Sequence, residues 1–277
     1  MVSFSEFCQI TPFFEKKWGK IIARIIYRVT AQEKIYANSL LAQGRTQNDR
    51  EFIDEIFRLF GVKIIVENPE NIHYFTDNKQ FITVSNHPYG TYDGMALVRM
   101  ISEIRPDIKG LTNFVLSFIK PISHHFIPVN PFQKSTSKKS SLPGLRIAKK
   151  WLEDGHPLFF FPSGQVSHID KHLKIKDREW QLSSMKFIQK AKVPVIPIYF
   201  YGHNSWFFLL AGLIHPLIRS LLISTEVVNK KGKIIRLRIG SPISVEQQSV
   251  FKDSSTYGKF LYNCTYELKD RNSSRSI

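Results

Sequence analysis

Apolar residues recur at steps of three and four near the start of the chain, where Trp18, Ile21, Ile22, Ile25, Ile26 and Val29 share one face. Lys17, Lys20, Arg24 and Arg28 occupy another face of the same segment. This period predicts one long amphipathic helix from Phe13 to about Leu41. The stretch NDREFIDEIFRLFG predicts a second helix, stopped by Gly61. Beyond it the pattern changes to short runs rich in β-branched and aromatic residues. VKIIVE, QFITVS, FIPV, PLFFF, VPVIPIYF and IIRLRIG read as strands. Helical periods fall between them, from Gly94, over Leu142–Glu153 and around Trp180–Lys190. Alternation of this kind predicts an α/β fold whose mostly parallel central sheet is flanked by helices and preceded by an N-terminal helical segment. The change of pattern divides the chain into residues 1–45 and 46–277.

In such sheets ligands gather at the carboxyl ends of strands, and two strand ends carry chemistry. At the first, VSNHPYGTYDGMAL runs from Val84 to Leu97, with His87 closing a strand and Asp93 opening a helix. Pro88 and Gly90 make the connection a tight loop that can fold the two side chains together. A carboxylate bonded to one imidazole nitrogen fixes the tautomer and leaves the other nitrogen to take a proton from an alcohol. At the second, PLFFF is followed at once by Pro162, Ser163 and Gly164. A sharp loop there presents backbone N–H groups to a phosphate, a carboxylate or an oxyanion, although an ordinary strand exit has the same composition. No G-x-S-x-G elbow supplies a serine nucleophile. A His–Asp pair without a nucleophile points to direct attack by a substrate hydroxyl.

Composition narrows the picture. The 277 residues carry 39 Lys and Arg against 23 Asp and Glu, a net charge of +16. Such an excess implies a negatively charged partner: nucleic acid, an anionic bilayer or an acidic protein. Lys134, Lys138, Lys139, Lys149 and Lys150 are the best nucleic-acid patch, but no DNA- or RNA-binding motif accompanies them. Cys8 and Cys264 show no ligand spacing. His124 and His125 would point to opposite faces of a strand, so no metal site is expected. Met1–Thr11 lacks the pattern of a secretory leader. WFFLLAGLIHPLIRSLLI is interrupted by His215, Pro216 and Arg219, which predicts a segment lying on a membrane and not a span. The basic amphipathic helix suits the same surface; a helix packed on its own domain is the alternative.

NHPYGTYDG, FIPVNPF, FFPSGQVS and VPVIPI together resemble, in order and spacing, the four blocks of the glycerolipid acyltransferase family, which includes bacterial lysophosphatidic acid acyltransferases. The resemblance covers about Val62 to Ser244 and is most specific in its first block. It implies that residues 46–277 form the acyltransferase domain, with His87 as general base and Asp93 orienting it. It further implies acceptor binding around Asn86, Gly90, Asn130, Phe161, Pro162, Ser163 and Gly164. Val193–Ile198 would line the donor side.

Three departures refine that expectation. Five residues separate His87 from Asp93 where the family usually has four, Ser163 replaces a Glu, and neither middle block carries its usual arginine. The family associates that Glu and those arginines with a phosphate-bearing acceptor. The longer spacing resembles a bacterial subgroup of hemolysin-like and lyso-ornithine-lipid O-acyltransferases. The resemblance therefore implies an O-acyltransferase of membrane lipid biosynthesis acting on a lysolipid, with a lyso amino-acid lipid favoured and lysophosphatidate the other candidate. Acyl carrier protein or a coenzyme A thioester would be the co-substrate, with no further cofactor. The protein would sit peripherally on the cytoplasmic face of the inner membrane. A non-catalytic membrane-bound or nucleic-acid-binding protein is the competing reading.

Overall fold

The computed structural model describes residues 3–9, 11–113, 119–129, 142–170, 172–214 and 216–272. Strands β1 (Lys63–Val66), β2 (Ile82–Ser85), β3 (Lys109–Asn113), β4 (Phe126–Val129), β5 (Leu158–Phe160), β8 (Val195–Phe200) and β9 (Ile234–Ile239) form one sheet. Between β5 and β8, β6 (His168–Ile169) and β7 (Ile175–Lys176) pair as a small antiparallel hairpin. The sheet order is β1-β9-β8-β2-β5-β3-β4, and every pairing is parallel except β8 with β9. The expected mostly parallel α/β sheet is therefore present. Val84 of β2 lies opposite Phe160 of β5 on one side and Pro197 of β8 on the other. This register sets the carboxyl ends of β2, β5 and β8 side by side.

The continuous apolar runs follow from burial on both faces. Ile82, Val84, Leu158 and Phe160 share one core with Ala148, Met185, Ile188, Tyr257 and Leu261. These partners come from helices Leu142–Glu153, Leu182–Ala191 and Ser254–Tyr266. Phe159, Ile196 and Ile198 point the other way, to residues of helices Asp49–Phe60 and Thr91–Ile101. Strand β3 escaped the sequence pattern because KGLTN has almost no apolar alternation. Its Gly110 leaves room for the Phe159 ring, since a Cβ there would lie 2.1 Å from that ring.

The long N-terminal helix expected over Phe13–Leu41 is instead three helices, Pro12–Glu15, Lys17–Val29 and Gln32–Gln43. The chain is extended at Lys16 and left-handed at Ala31 (φ 58°). Neither break has a Pro or Gly to announce it. Helix Lys17–Val29 buries Gly19, Ala23 and Tyr27, the latter two in a small cluster with Phe7 and Cys8. Its wide apolar face, with Trp18, Ile21, Ile22, Ile25 and Val29, is exposed. Helix Gln32–Gln43 by contrast places Ile35 and Ala42 in the main core. A second exposed apolar surface lies on helix Trp206–Ile214, carried by Trp206, Phe207, Leu210, Leu213 and Ile214. Helix Pro216–Val228 packs on Trp206–Ile214 and on Gln32–Gln43, and Gln32 Nε2 bonds Ser224 Oγ. No described helix is long and apolar enough to cross a membrane.

Candidate active site

The site begins where β2 leaves the sheet. Asn86 accepts from the Phe200 N–H (2.7 Å) and donates to the Phe200 carbonyl (2.8 Å), so its side chain continues the β2–β8 pairing by one step. Asn86 was expected at the acceptor, but both ends of its amide are committed to backbone. It positions the next residue. The His87 N–H donates to Asp177 Oδ1 (3.2 Å), and its carbonyl accepts from the Ser167 N–H (2.8 Å). Gly90 then turns the chain at φ 78°, a conformation other residues reach only with strain. A Cβ at Gly90 would also sit 3.2 Å from Ile223 and 3.3 Å from Val166.

The following helix starts at Thr91, three residues before Gly94, where the pattern placed it. Asp93 therefore lies in the first turn, where N–H groups are free and a negative charge is favoured. Its Oδ2 accepts from the N–H groups of Tyr89 (2.8 Å) and Gly90 (3.0 Å) and lies 2.9 Å from His87 Nδ1. The imidazole contact is close but off the line of a straight hydrogen bond. Complete burial pushes the Asp93 carboxyl above its usual range, and the His87 ring and the two N–H groups oppose that push. The two residues singled out from sequence are thus brought together, with Nε2 as the nitrogen left to face a substrate.

Phe161, leaving β5, stacks on the His87 ring with centroids 4.0 Å apart and planes 25° apart. Pro162 and Ser163 are buried. The Ser163 hydroxyl donates to the Gln165 carbonyl (2.8 Å), and the Gly164 N–H donates to the Phe161 carbonyl (2.9 Å). Those two groups hold the turn together and are not offered to a ligand. Asn130 and the lysines at 134, 138 and 139 lie outside the described residues.

Asp177, just after β7, escaped the sequence reading. It sits in the charged stretch KIKDRE, which locally looks like any solvated loop. In the fold it is 2% exposed, and besides the His87 N–H it accepts from the Ser167 hydroxyl. Burial raises its pKa from 3.8 to about 6, against the pull of Ser167 and His87.

His124 and His125 end a 3-10 turn, Lys120–His125, and not a strand, so their rings do not point to opposite faces. Both approach Asp49 Oδ2, at 3.5 and 2.6 Å, making a group of three potential metal-ligand atoms within 4.8 Å of one another. His125 Nδ1 donates to the Ile108 carbonyl (2.8 Å), so this cluster ties the residue before β3 to helix Asp49–Phe60. It precedes β4, at the opposite end of the parallel strands from His87. A cavity of about 1020 Å³, bordered by Phe57, Val62, Ile64 and Met100, likewise lies away from the His–Asp pair.

A two-sided core, a His–Asp pair at the carboxyl edge and a Pro-Ser-Gly turn beside it match an acyltransferase. A family model described as acyltransferase matches residues 9–274, and the chain belongs to that family. The chain is 24% identical over 256 residues to a lyso-glycine lipid O-acyltransferase of Phocaeicola vulgatus, covering 90% of this chain and 88% of the relative. A protein of the same name from Bacteroides thetaiotaomicron is 23% identical over 256 residues, covering 90% of each. The crystal structure of the 1-acyl-sn-glycerophosphate (LPA) acyltransferase PlsC from Thermotoga maritima shares the fold, with a TM-score of 0.51 at 17% identity over 99% of this chain and 96% of that one.

Two outcomes follow from the site's supports. Between pH 3.8 and about 6 the folded protein holds a proton on Asp177 that the unfolded chain has released. Stability from this group is therefore full below that window and lost as pH rises through it. Asp177→Asn removes the effect, so the melting temperature of the variant falls less steeply than wild type across the window; parallel curves would contradict the assignment. Asn86→Ala leaves the Phe200 N–H and carbonyl without partners and lowers urea-unfolding stability by about 2–4 kcal/mol.

Proposed function

We propose that this acyltransferase moves a fatty acyl group from an acyl thioester to the hydroxyl of a lyso amino-acid lipid at an anionic membrane surface, with His87 as general base. The observation that carries this reading is the 2.9 Å approach of the buried Asp93 carboxylate to His87 Nδ1 at the carboxyl edge of the sheet. Asp93 holds the imidazole with its proton on Nδ1. Nε2 takes the proton of the acceptor hydroxyl as that oxygen attacks the thioester carbonyl. The tetrahedral adduct collapses, the carbon–sulfur bond breaks, and the departing thiolate receives the proton from Nε2. The ester is formed and the imidazole returns to its starting state without a covalent enzyme intermediate.

The relatives' names support an amino-acid lipid as acceptor, and so does the replacement of the family's usual Glu by Ser163. The thioester belongs to acyl carrier protein or coenzyme A; the charge of +16 suits an acidic carrier as well as an anionic leaflet. Helices Lys17–Val29 and Trp206–Ile214 carry the membrane-facing apolar surfaces. Packing on the protein itself would have buried the isoleucine face of helix Lys17–Val29, yet Trp18 is 77% exposed and Ile25 58%. Lys17, Lys20, Arg24 and Arg28 are exposed around that face, where they meet lipid phosphates. This arrangement supports peripheral attachment, which we assign to the cytoplasmic face of the inner membrane.

His87→Ala lowers the acyl-transfer rate by about 10²- to 10⁴-fold with the fold intact, measured with radiolabelled acyl thioester. Asp93→Asn also slows the reaction by misdirecting the imidazole tautomer. Ile21→Asp with Ile25→Asp abolishes co-sedimentation with vesicles containing anionic lipid while the melting temperature stays near wild type. Loss of folding instead would assign this face to the core. Offered together with one acyl donor, a lyso amino-acid lipid is consumed faster than lysophosphatidate; the reverse order would overturn the acceptor assignment.

A further inference from the structure

The loop after β5 carries no arginine, but the fold brings one to it from elsewhere. Arg219, on helix Pro216–Val228, is 54 residues from Gln165 in sequence, and its Nη2 donates to Gln165 Oε1 at 3.3 Å. Arg219 is 8% exposed, and among the described residues no carboxylate lies within salt-bridge distance of it. A buried guanidinium without a counter-charge is costly, because desolvation disfavours the cation and one amide oxygen returns little of the loss. Burial, and then Arg178, lower the pKa of Arg219. Burial followed by Arg178 and Arg219 does the same to His168. Arg178, Arg219 and His168 are thus close enough to repel one another.

The position is beside the reacting centre. Ile223, one helical turn after Arg219, and Val166, the residue after Gln165, both border the Gly90 turn between His87 and Asp93. Ser167, next again, donates to the His87 carbonyl. Gly212 leaves space for the Arg219 stem, since a Cβ there would lie 2.9 Å from Arg219 Cδ. The side chain is held in place by packing, and only some of its five N–H donors are used.

We propose that Arg219 is an anion-binding site for the acceptor and takes the headgroup carboxylate of the lyso amino-acid lipid. A single planar guanidinium matches one carboxylate in charge and in fork geometry, whereas a phosphate monoester brings close to two charges. Gln165 orients the fork from the loop that also borders His87. The site thus fixes the acceptor by its charged end while the hydroxyl reaches Nε2. This assignment rests on the acceptor class proposed above.

The test compares a lyso amino-acid lipid bearing a free carboxylate with the same lipid carrying a primary amide in its place, at one donor concentration. Wild type shows a KM about 10- to 100-fold lower for the carboxylate, as a charge-assisted hydrogen bond supplies. R219Q raises KM for the carboxylate to near that of the amide, so the ratio of the two KM values falls to about one with kcat on the carboxylate largely kept. R219K, which keeps the charge and the stem, restores part of the preference. A purely structural role would lower kcat on both acceptors equally, and that result, or an undiminished preference in R219Q, refutes the site while leaving the acceptor class intact. Wild-type turnover of lysophosphatidate with none of either amino-acid lipid refutes the acceptor class and the carboxylate assignment together. If R219Q does not fold, the wild-type enzyme decides: inhibition by an N-acyl amino acid without a hydroxyl that its amide does not share supports the site, and equal inhibition by acid and amide overturns it.

Discussion

A buried carboxylate organises this protein's reacting edge. Asp93 has no exposure to water, and an isolated charge there would be prohibitively costly. Its charged form depends on the Tyr89 and Gly90 N–H groups, the His87 ring and the start of its own helix. Those same contacts shape the loop. The backbone must curl tightly enough for two successive N–H groups to reach one oxygen, and Gly90 turns at a positive φ to allow it. The five residues between His87 and Asp93 are thus a closed unit, in which orienting the imidazole and capping the helix are one act.

The sheet turns that unit into a site. With β2 lying between β5 and β8, three chain segments distant in sequence reach the His87 loop. β8 locks Asn86 through Phe200, β5 delivers the stacked Phe161, and the stretch after β7 delivers Asp177. Many polar groups at this edge are consumed in building it. Asn86, the Ser163 hydroxyl and the Gly164 N–H all bond to backbone, whereas the ring Nε2 of His87 and the fork of Arg219 keep capacity to spare.

The two exposed apolar surfaces belong to the same design. Helix Pro216–Val228 touches both the helix that carries Trp206 and the helix that follows the basic N-terminal one, and it also borders the Gly90 turn. An enzyme whose substrates are amphiphiles gains by placing its reacting edge near the interface where they concentrate. On the proposed reading, apolar side chains entering the headgroup layer and cations around them supply that attachment.

The sequence alone determined the layered α/β class and the His87–Asp93 pair. Strands buried on both faces must be apolar throughout, and Pro88 and Gly90 mark the turn between a strand and a helix, so both signals are local. The amphipathic period of the first helix was equally legible, but its break at Ala31 was not, because Thr30 and Ala31 carry no breaker chemistry. Only the tertiary structure decided that the isoleucine face looks outward, since periodicity reports that a face exists and not what covers it. It alone put His124 and His125 on a turn against Asp49, and gave Asn86 its partner 114 residues away. Asp177 and Arg219 lie in stretches that read locally as solvated loop or surface helix. Strand order buries the first against His87 and helix packing buries the second beside Gln165, because hydrogen bonds across such distances are written in the contacts of the fold and leave no period along the chain.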